Sequence, residues 1–423
     1  MCLSELGAIE LSVDSVGETS MGRANQTVIS EDGKELLRLC RAGRLYEIEK
    51  WIAAGKPLDP PVTKHKTLLQ VAVETEFHSL IELIARHETV QASKNAALED
   101  AVSIRRLDFV KLLVENGAQI AAVPFADVLL TWEPNLMRFF LDYGADPIKD
   151  NPFAVAFGAK VRTALRAFLD CKRMHPEQTD ALQEQANIAL RHFCSKGDLK
   201  WISLMLWAKA DARSMGPSLE DQYTYDPECY TSGLQQAAYA GNIEVLKKLK
   251  PQAGRDDLED LLHSAAISGR KDVLHYLLEV GAKPNNRGNG GSSALDTCLW
   301  RLSIGHFNPY GGKQLASKYD ASGALECIQE LLAHGAVWNP ESGDVTQLRR
   351  SLCECEPAVT VSLLQLFHKY NACPAERIHK LLGSPRIREH LTPETQHISR
   401  LGIRFAAEQP VPGQSRTAAR CRL

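Results

Sequence analysis

The chain has 423 residues, of which 44% are hydrophobic and 24% charged, with a net charge of only −3. So small a charge argues against bulk electrostatic binding to nucleic acid or to an anionic membrane. No apolar run reaches the roughly 18 residues needed to span a bilayer, and the first thirty residues lack the basic start and apolar core of a signal peptide. We therefore expect a cytoplasmic protein with no membrane or nucleic-acid role.

In chain order, residues 1–30 show no sustained periodicity and read as a flexible arm. From residue 31 onward apolar residues recur at spacings of three and four, and strand-like alternation is scarce, which predicts an all-α class. Leu36-Leu37, Ala42-Gly43, Ile48, Trp51-Ile52 and Gly55 form a first two-helix unit. Residues 98–117 repeat the plan, with Phe109-Val110-Lys111-Leu112-Leu113 as second helix. Phe153 to Phe157 and Ala164 to Leu169 fit two helices, and residues 187–206 another pair split at Lys196-Gly197. This stretch of 150–210 is the least regular, and a break into two sub-arrays would fall most naturally there. Residues 211–231 form an enlarged inter-unit loop with Tyr223, Tyr225 and Tyr230 beside Asp221, Asp226 and Glu228. The next unit opens with Ser232-Gly233-Leu234-Gln235-Gln236-Ala237-Ala238.

Residues 258–285 are the most informative segment. Leu261, Leu262, Ala265 and Ala266 share one helix face, Gly269 ends that helix, and Val273, Leu274, Leu277 and Leu278 stripe the next. Gly281 then stops the second helix, and Pro284 prevents its continuation. Two short helices cannot bury both faces alone, so neighbouring units must complete the core. Further stops stand at Gly117, Gly144, Gly335 and Asn371. A second insertion, 305–320, falls inside a later unit; its Gly311-Gly312-Lys313 lacks the strand and spacing of a phosphate loop. Residues 378–391 fit a capping helix. From residue 376 on, nine Lys or Arg oppose four acids, giving +5 and leaving −8 for the rest. Residues 392–423 read as a basic, disordered tail.

The pattern resembles the ankyrin repeat. Asp260-Leu261-Leu262-His263 stands where that family has its Thr-Pro-Leu-His turn, followed by Ala265, Ala266, Gly269, Val273, Leu277, Leu278, Gly281-Ala282 and Asn285. The resemblance implies a helical-repeat solenoid of roughly ten units, several degenerate, over residues 31–210 and 232–391. It also implies a structural role for His263, tying adjacent loops by hydrogen bonds, and loops that project as fingers beside a concave face of first helices.

The eleven cysteines are scattered, which fits reduced thiols. Cys40, Cys298 and Cys327 take places meant for small apolar residues, and Cys353-Glu354-Cys355 has no companion pair at zinc-ligand spacing. No catalytic motif assembles a nucleophile, a base and an oxyanion site. We therefore expect a monomeric, non-catalytic scaffold without cofactor or metal, binding a protein partner through Tyr223, Tyr225, Tyr230, Tyr239 and Ile267. Two alternatives stay open: an adaptor that recruits a second complex through its C-terminal segment, and an enzyme whose groove chemistry carries no motif.

Overall fold

The structure is a computed structural model that describes residues 31–58, 66–220, 230–288, 291–304, 321–338 and 357–372. The predicted arm 1–30, the insertion 305–320, the predicted capping helix of 378–391 and the tail 392–423 lie outside the described residues. Among those described there are nineteen α-helices and no strand, only three isolated β-bridges. The class is all-α, as the periodicity requires. The chain divides into two compact units, residues 1–123 and 124–423.

The first unit holds three helix pairs: α1 (Glu31–Arg41) and α2 (Leu45–Ala53), α3 (Leu68–Thr75) and α4 (His78–His87), α5 (Gln91–Ser103) and α6 (Leu107–Glu115). First helices α1, α3 and α5 pack in one row, and α2, α4 and α6 in a second. A local signal starts α3. Thr67 caps it by accepting from the Gln70 amide, while the Gln70 side chain accepts from the Thr67 amide at 2.9 Å. The interior of these pairs is aliphatic, with Leu69, Ala72, Ile81, Ile84, Ala97, Leu98 and Ala101 fully buried.

The second unit continues the plan with α7 (Phe125–Leu130), α8 (Pro134–Asp142), α9 (Pro152–Gly158), α10 (Ala164–Met174), α11 (Thr179–Lys196) and α12 (Leu199–Trp207). Then follow α13 (Gly233–Ala240), α14 (Ile243–Leu249), α15 (Leu258–Ser268), α16 (Lys271–Val280), α17 (Ala294–Ile304), α18 (Ala321–Ala333) and α19 (Pro357–Lys369). Helices α7, α9, α11, α13, α15 and α17 form one continuous row of neighbours. On the other side α14, α16 and α18 pack in sequence, and α19 packs on α18. Among the described residues, nine pairs and one further helix agree with the roughly ten units read from the sequence.

Two readings are refined. Helix α15 begins at Leu258, so Asp260 to His263 lie inside it and form no entry turn. Without a Thr-Pro pair to force the start, Asp257 caps instead, accepting from the Asp260 amide at 2.9 Å, and Glu259 and Asp260 suit the positive end of the helix. The 27-residue spacing of Gly117 to Gly144 is shorter than the family period of about 33, and the deficit, expected in the finger loops, lies partly in α7, which is only six residues long.

Residues 150–210, the least regular in sequence, are packed by aromatics where the later units use alanine. Phe153, Phe157 and Phe168 are fully buried, and Phe168 meets each of the other two edge-on with ring centroids 5.4 Å apart. Gln185, also fully buried, accepts from the Phe153 amide at 2.8 Å and donates to the Pro147 carbonyl at 2.8 Å. One side chain of α11 therefore ties down the start of α9. Phe168→Ala should cost about 3–5 kcal/mol by opening a cavity in this cluster. Denaturant unfolding would report the loss, with faster amide exchange concentrated in α9 and α10.

Candidate functional site

The enlarged loop is described as far as residue 220 and again from residue 230. Tyr223 and Tyr225, two of the tyrosines expected to bind, lie outside the described residues; Tyr230 is half-buried at the returning end. The base of the loop is built from charge. Arg191 of α11 is fully buried, and its guanidinium donates to the Pro217 carbonyl at 2.8 Å, to the Ser214 carbonyl at 3.1 Å and to the Glu184 carboxylate. A rigid planar fork suits this set of three acceptors, and an ammonium does not. Arg213 leaves the loop in the opposite direction and grips Asp256 with two bonds of 2.7 and 3.0 Å. The two ends are joined by a bridge in which Gly216 and Thr231 exchange amide-to-carbonyl bonds of 3.2 Å. Gly216 must be glycine here, since a Cβ would stand 2.5 Å from the Arg191 guanidinium.

Beyond this base runs the exposed side of the first helices. Tyr239 in α13 is 54% exposed, and Ile267 in α15 is half-buried. Each directly follows a buried pair, Ala237-Ala238 and Ala265-Ala266. In α17 the buried pair is Cys298-Leu299, and the residue after it is Trp300, 41% exposed. Because α13, α15 and α17 are successive neighbours, a tyrosine, an isoleucine and a tryptophan occupy one register in three consecutive units. Trp300 is not among the residues expected to bind, since Cys298-Leu299 does not look like an alanine pair. Aligning its buried pair with the alanine pairs would have found it.

The register is held by polar links between units. Gln235 donates to Asp260 at 3.3 Å, and His263 shares a 2.8 Å hydrogen bond with the Thr297 hydroxyl. His263 thus has a structural bond, made to the next first helix. Arg301 donates to the Ile267 carbonyl and lies across Gly269, whose φ of +68° ends α15. The described cysteines Cys40, Cys171, Cys194, Cys298 and Cys327 are free and buried. Burial pushes the Cys40 and Cys194 thiols up to about 12 and that of Cys171 to about 11. Cys298 is raised by its hydrogen bond with Cys327 and by burial. The raised thiols of Cys40, Cys171, Cys194 and Cys298 are not nucleophiles near neutral pH.

Arg191→Met should strand three acceptors and release the loop, lowering stability by roughly 2–4 kcal/mol. Hydrogen exchange over residues 211–220 should quicken, and Arg191→Lys should not restore it. A second expectation concerns pH. Burial lowers the pKa of His263, against the opposing charge of Asp260; burial and Lys196 lower that of His192, against Glu220. A histidine kept neutral in the fold binds fewer protons than in the unfolded chain. Stability is therefore lost as pH falls below the ordinary imidazole value of about 6.5. The thermal midpoint should drop between about pH 7 and 5.5, and less so in a His192→Gln/His263→Gln variant. His275, raised by its bond to Glu330, contributes the opposite slope and stays in both proteins.

A family comparison agrees with this architecture over one stretch of the second unit. A family profile described as ankyrin repeats (many copies) matches residues 262–307, the stretch containing most of α15, α16 and α17. Among solved structures, the crystal structure of the human ASB11 ankyrin repeat domain is similar at 16% identity, with 72% of this chain and 99% of that one covered and a TM-score of 0.24. The matched residues include His263, the alanine pair, Gly269 and Gly281, the positions that set the helix–turn–helix unit. Residues 262–307 are thus an ankyrin-type segment of the chain.

Proposed function

We propose that this protein is a non-catalytic scaffold. Its partner would be another protein, held on the exposed side of α13, α15 and α17 and on the loop that Arg191 and Arg213 anchor. Ankyrin repeats generally mediate contacts between proteins. The observation that carries the reading is the shared register of Tyr239, Ile267 and Trp300. Large, stiff aromatic side chains of this kind are enriched among the anchors that dominate interface energies. They stand on helices fixed by burial on both neighbours, so little order has to be gained on binding.

Other features fit. Burial raises the Cys40, Cys171 and Cys194 thiols, and His263 is engaged in a helix-to-helix link. No described helix is long and apolar enough to cross a membrane. We read the scaffold as a cytoplasmic monomer that needs no cofactor and binds no nucleic acid. The adaptor alternative rests on the C-terminal segment, outside the described residues. Nothing in the described geometry favours an enzyme.

The test is capture by the intact chain, followed by quantitative binding of each captured protein. Comparators are a Tyr239→Ser/Trp300→Ser variant and a chain lacking residues 222–230. Loss of an anchor should cost about 2 kcal/mol, roughly 30-fold in affinity, while circular dichroism stays unchanged. A partner bound equally by all three chains would refute the assigned face. Turnover of a captured small molecule would refute the non-catalytic reading.

A further inference from the structure

The second helices carry a different chemistry. Helices α16 and α18 pack side by side, and between them three nitrogen- and oxygen-donor side chains converge: His275 of α16, Glu330 of α18 and His334, just past the end of α18. One candidate ligand atom from each lies within 4.8 Å of those of the other two. The Nδ1 of His275 is 2.7 Å from the Glu330 carboxylate, and the Nδ1 of His334 is 3.4 Å from the same oxygen. The two imidazole rings meet edge-on, with centroids 5.8 Å apart. Glu330 lies beneath them, its side chain 17% exposed, and no Lys or Arg among the described residues pairs with it.

We propose that His275, Glu330 and His334 form a binding site for a divalent transition-metal ion of the zinc type. Three arguments carry it. The donor set is two imidazoles and one carboxylate, the mixture that zinc accepts and that calcium or magnesium, which prefer all-oxygen cages, do not. The spacing is close to what coordination needs. Zinc bonds of about 2.0–2.1 Å at tetrahedral angles put ligand atoms about 3.3 Å apart. The His334 to Glu330 distance already matches, and the His275 to Glu330 contact must open by about 0.6 Å. That opening is within reach of the exposed His275 side chain, which stands on a separate helix from Glu330.

The third argument is the partner of the other His275 nitrogen. Its Nε2 lies 3.3 Å from the carboxylate of Glu279, one turn along α16. Without metal the Nδ1–H of His275 donates to Glu330; on ligation that proton leaves, and the Glu279 carboxylate, accepting from Nε2–H, holds the tautomer in which Nδ1 presents its lone pair to the ion. Metal-bound histidines are held by this kind of outer partner. His334 also lies 3.0 Å from the Glu330 carbonyl through Nδ1, a contact that ligation would replace. Three protein ligands leave at least one coordination position for water. Bound metal would clamp α16 to α18 and stiffen the junction of two successive units.

The full-length chain, treated with a chelator and then dialysed, is titrated calorimetrically with zinc chloride. Cobalt(II) serves as the visible probe of geometry. We expect one saturable site, a rise in the thermal midpoint with added zinc, and the absorption band of tetrahedral cobalt. His275→Ala, His334→Ala and Glu330→Gln should each weaken binding by at least about tenfold. His87→Ala, at an exposed histidine of α4, should bind as the parent does. Absence of saturable uptake would overturn the assignment. So would uptake that persists in the triple variant, because the ion would then sit on other residues. Glu330→Gln keeps the shape of the side chain, so a change in binding with unchanged circular dichroism separates ligation from folding.

Discussion

A pair of helices two or three turns long has more apolar surface than it can cover by itself, and everything else in this protein follows from how neighbours cover it. In the second unit the first helices meet through small residues. Ala237, Ala238, Ala265 and Ala266 are fully buried, so the backbones of α13 and α15 come close. Close approach then places the polar groups at the helix starts within reach of one another. Gln235 finds Asp260, and His263 finds Thr297. Packing and polar linkage specify the same register, and such agreement between levels marks a sequence that encodes one structure. Earlier in the unit the same constraint is met with rings. Phe153, Phe157 and Phe168 fill the space that a regular repeat leaves to aliphatic side chains.

The loop after α12 shows what a stacked array gains from a buried charge. A lone guanidinium inside α11 would be costly, but Arg191 has two carbonyls and a carboxylate around it. The arrangement converts an irregular segment into a fixed platform, because its backbone oxygens become the ligands of a rigid group. Arg213 and Asp256 extend the grip to the turn before α15. A partner reaching this region meets a base that is already ordered. The conformational entropy of binding is thereby reduced before any contact forms.

The two rows of helices present different surfaces. The first row offers Tyr239, Ile267 and Trp300, apolar and aromatic. The second row offers His275, Glu330 and His334, polar and rich in lone pairs. Both sets arise from stacking: Tyr239, Ile267 and Trp300 come one from each of three units, while His275 of one unit is brought beside Glu330 and His334 of the next. Neither set uses the cysteines, which serve as small core residues on helix faces.

How much was legible follows the distance over which each feature is determined. Glycine stops, the three-and-four spacing and the alanine pairs act within a turn or two, so the all-α class, the two-helix unit and the family resemblance could be read directly. Tyr239 and Ile267 were legible for the same reason, since each follows an alanine pair. Trp300 was harder to read, because its pair is Cys298-Leu299, and only aligning that pair with the two alanine pairs reveals the shared register. The start of α15 depended on which of several acidic residues would cap it. Arg191 meets the Pro217 carbonyl across 26 residues, and His275 meets Glu330 across 55. The sequence by itself determined the repeating unit, because helix periodicity and turn chemistry are local. Tertiary structure alone decided which side chains of different units meet, because that depends on the stacking of units and on the length of the loops between them.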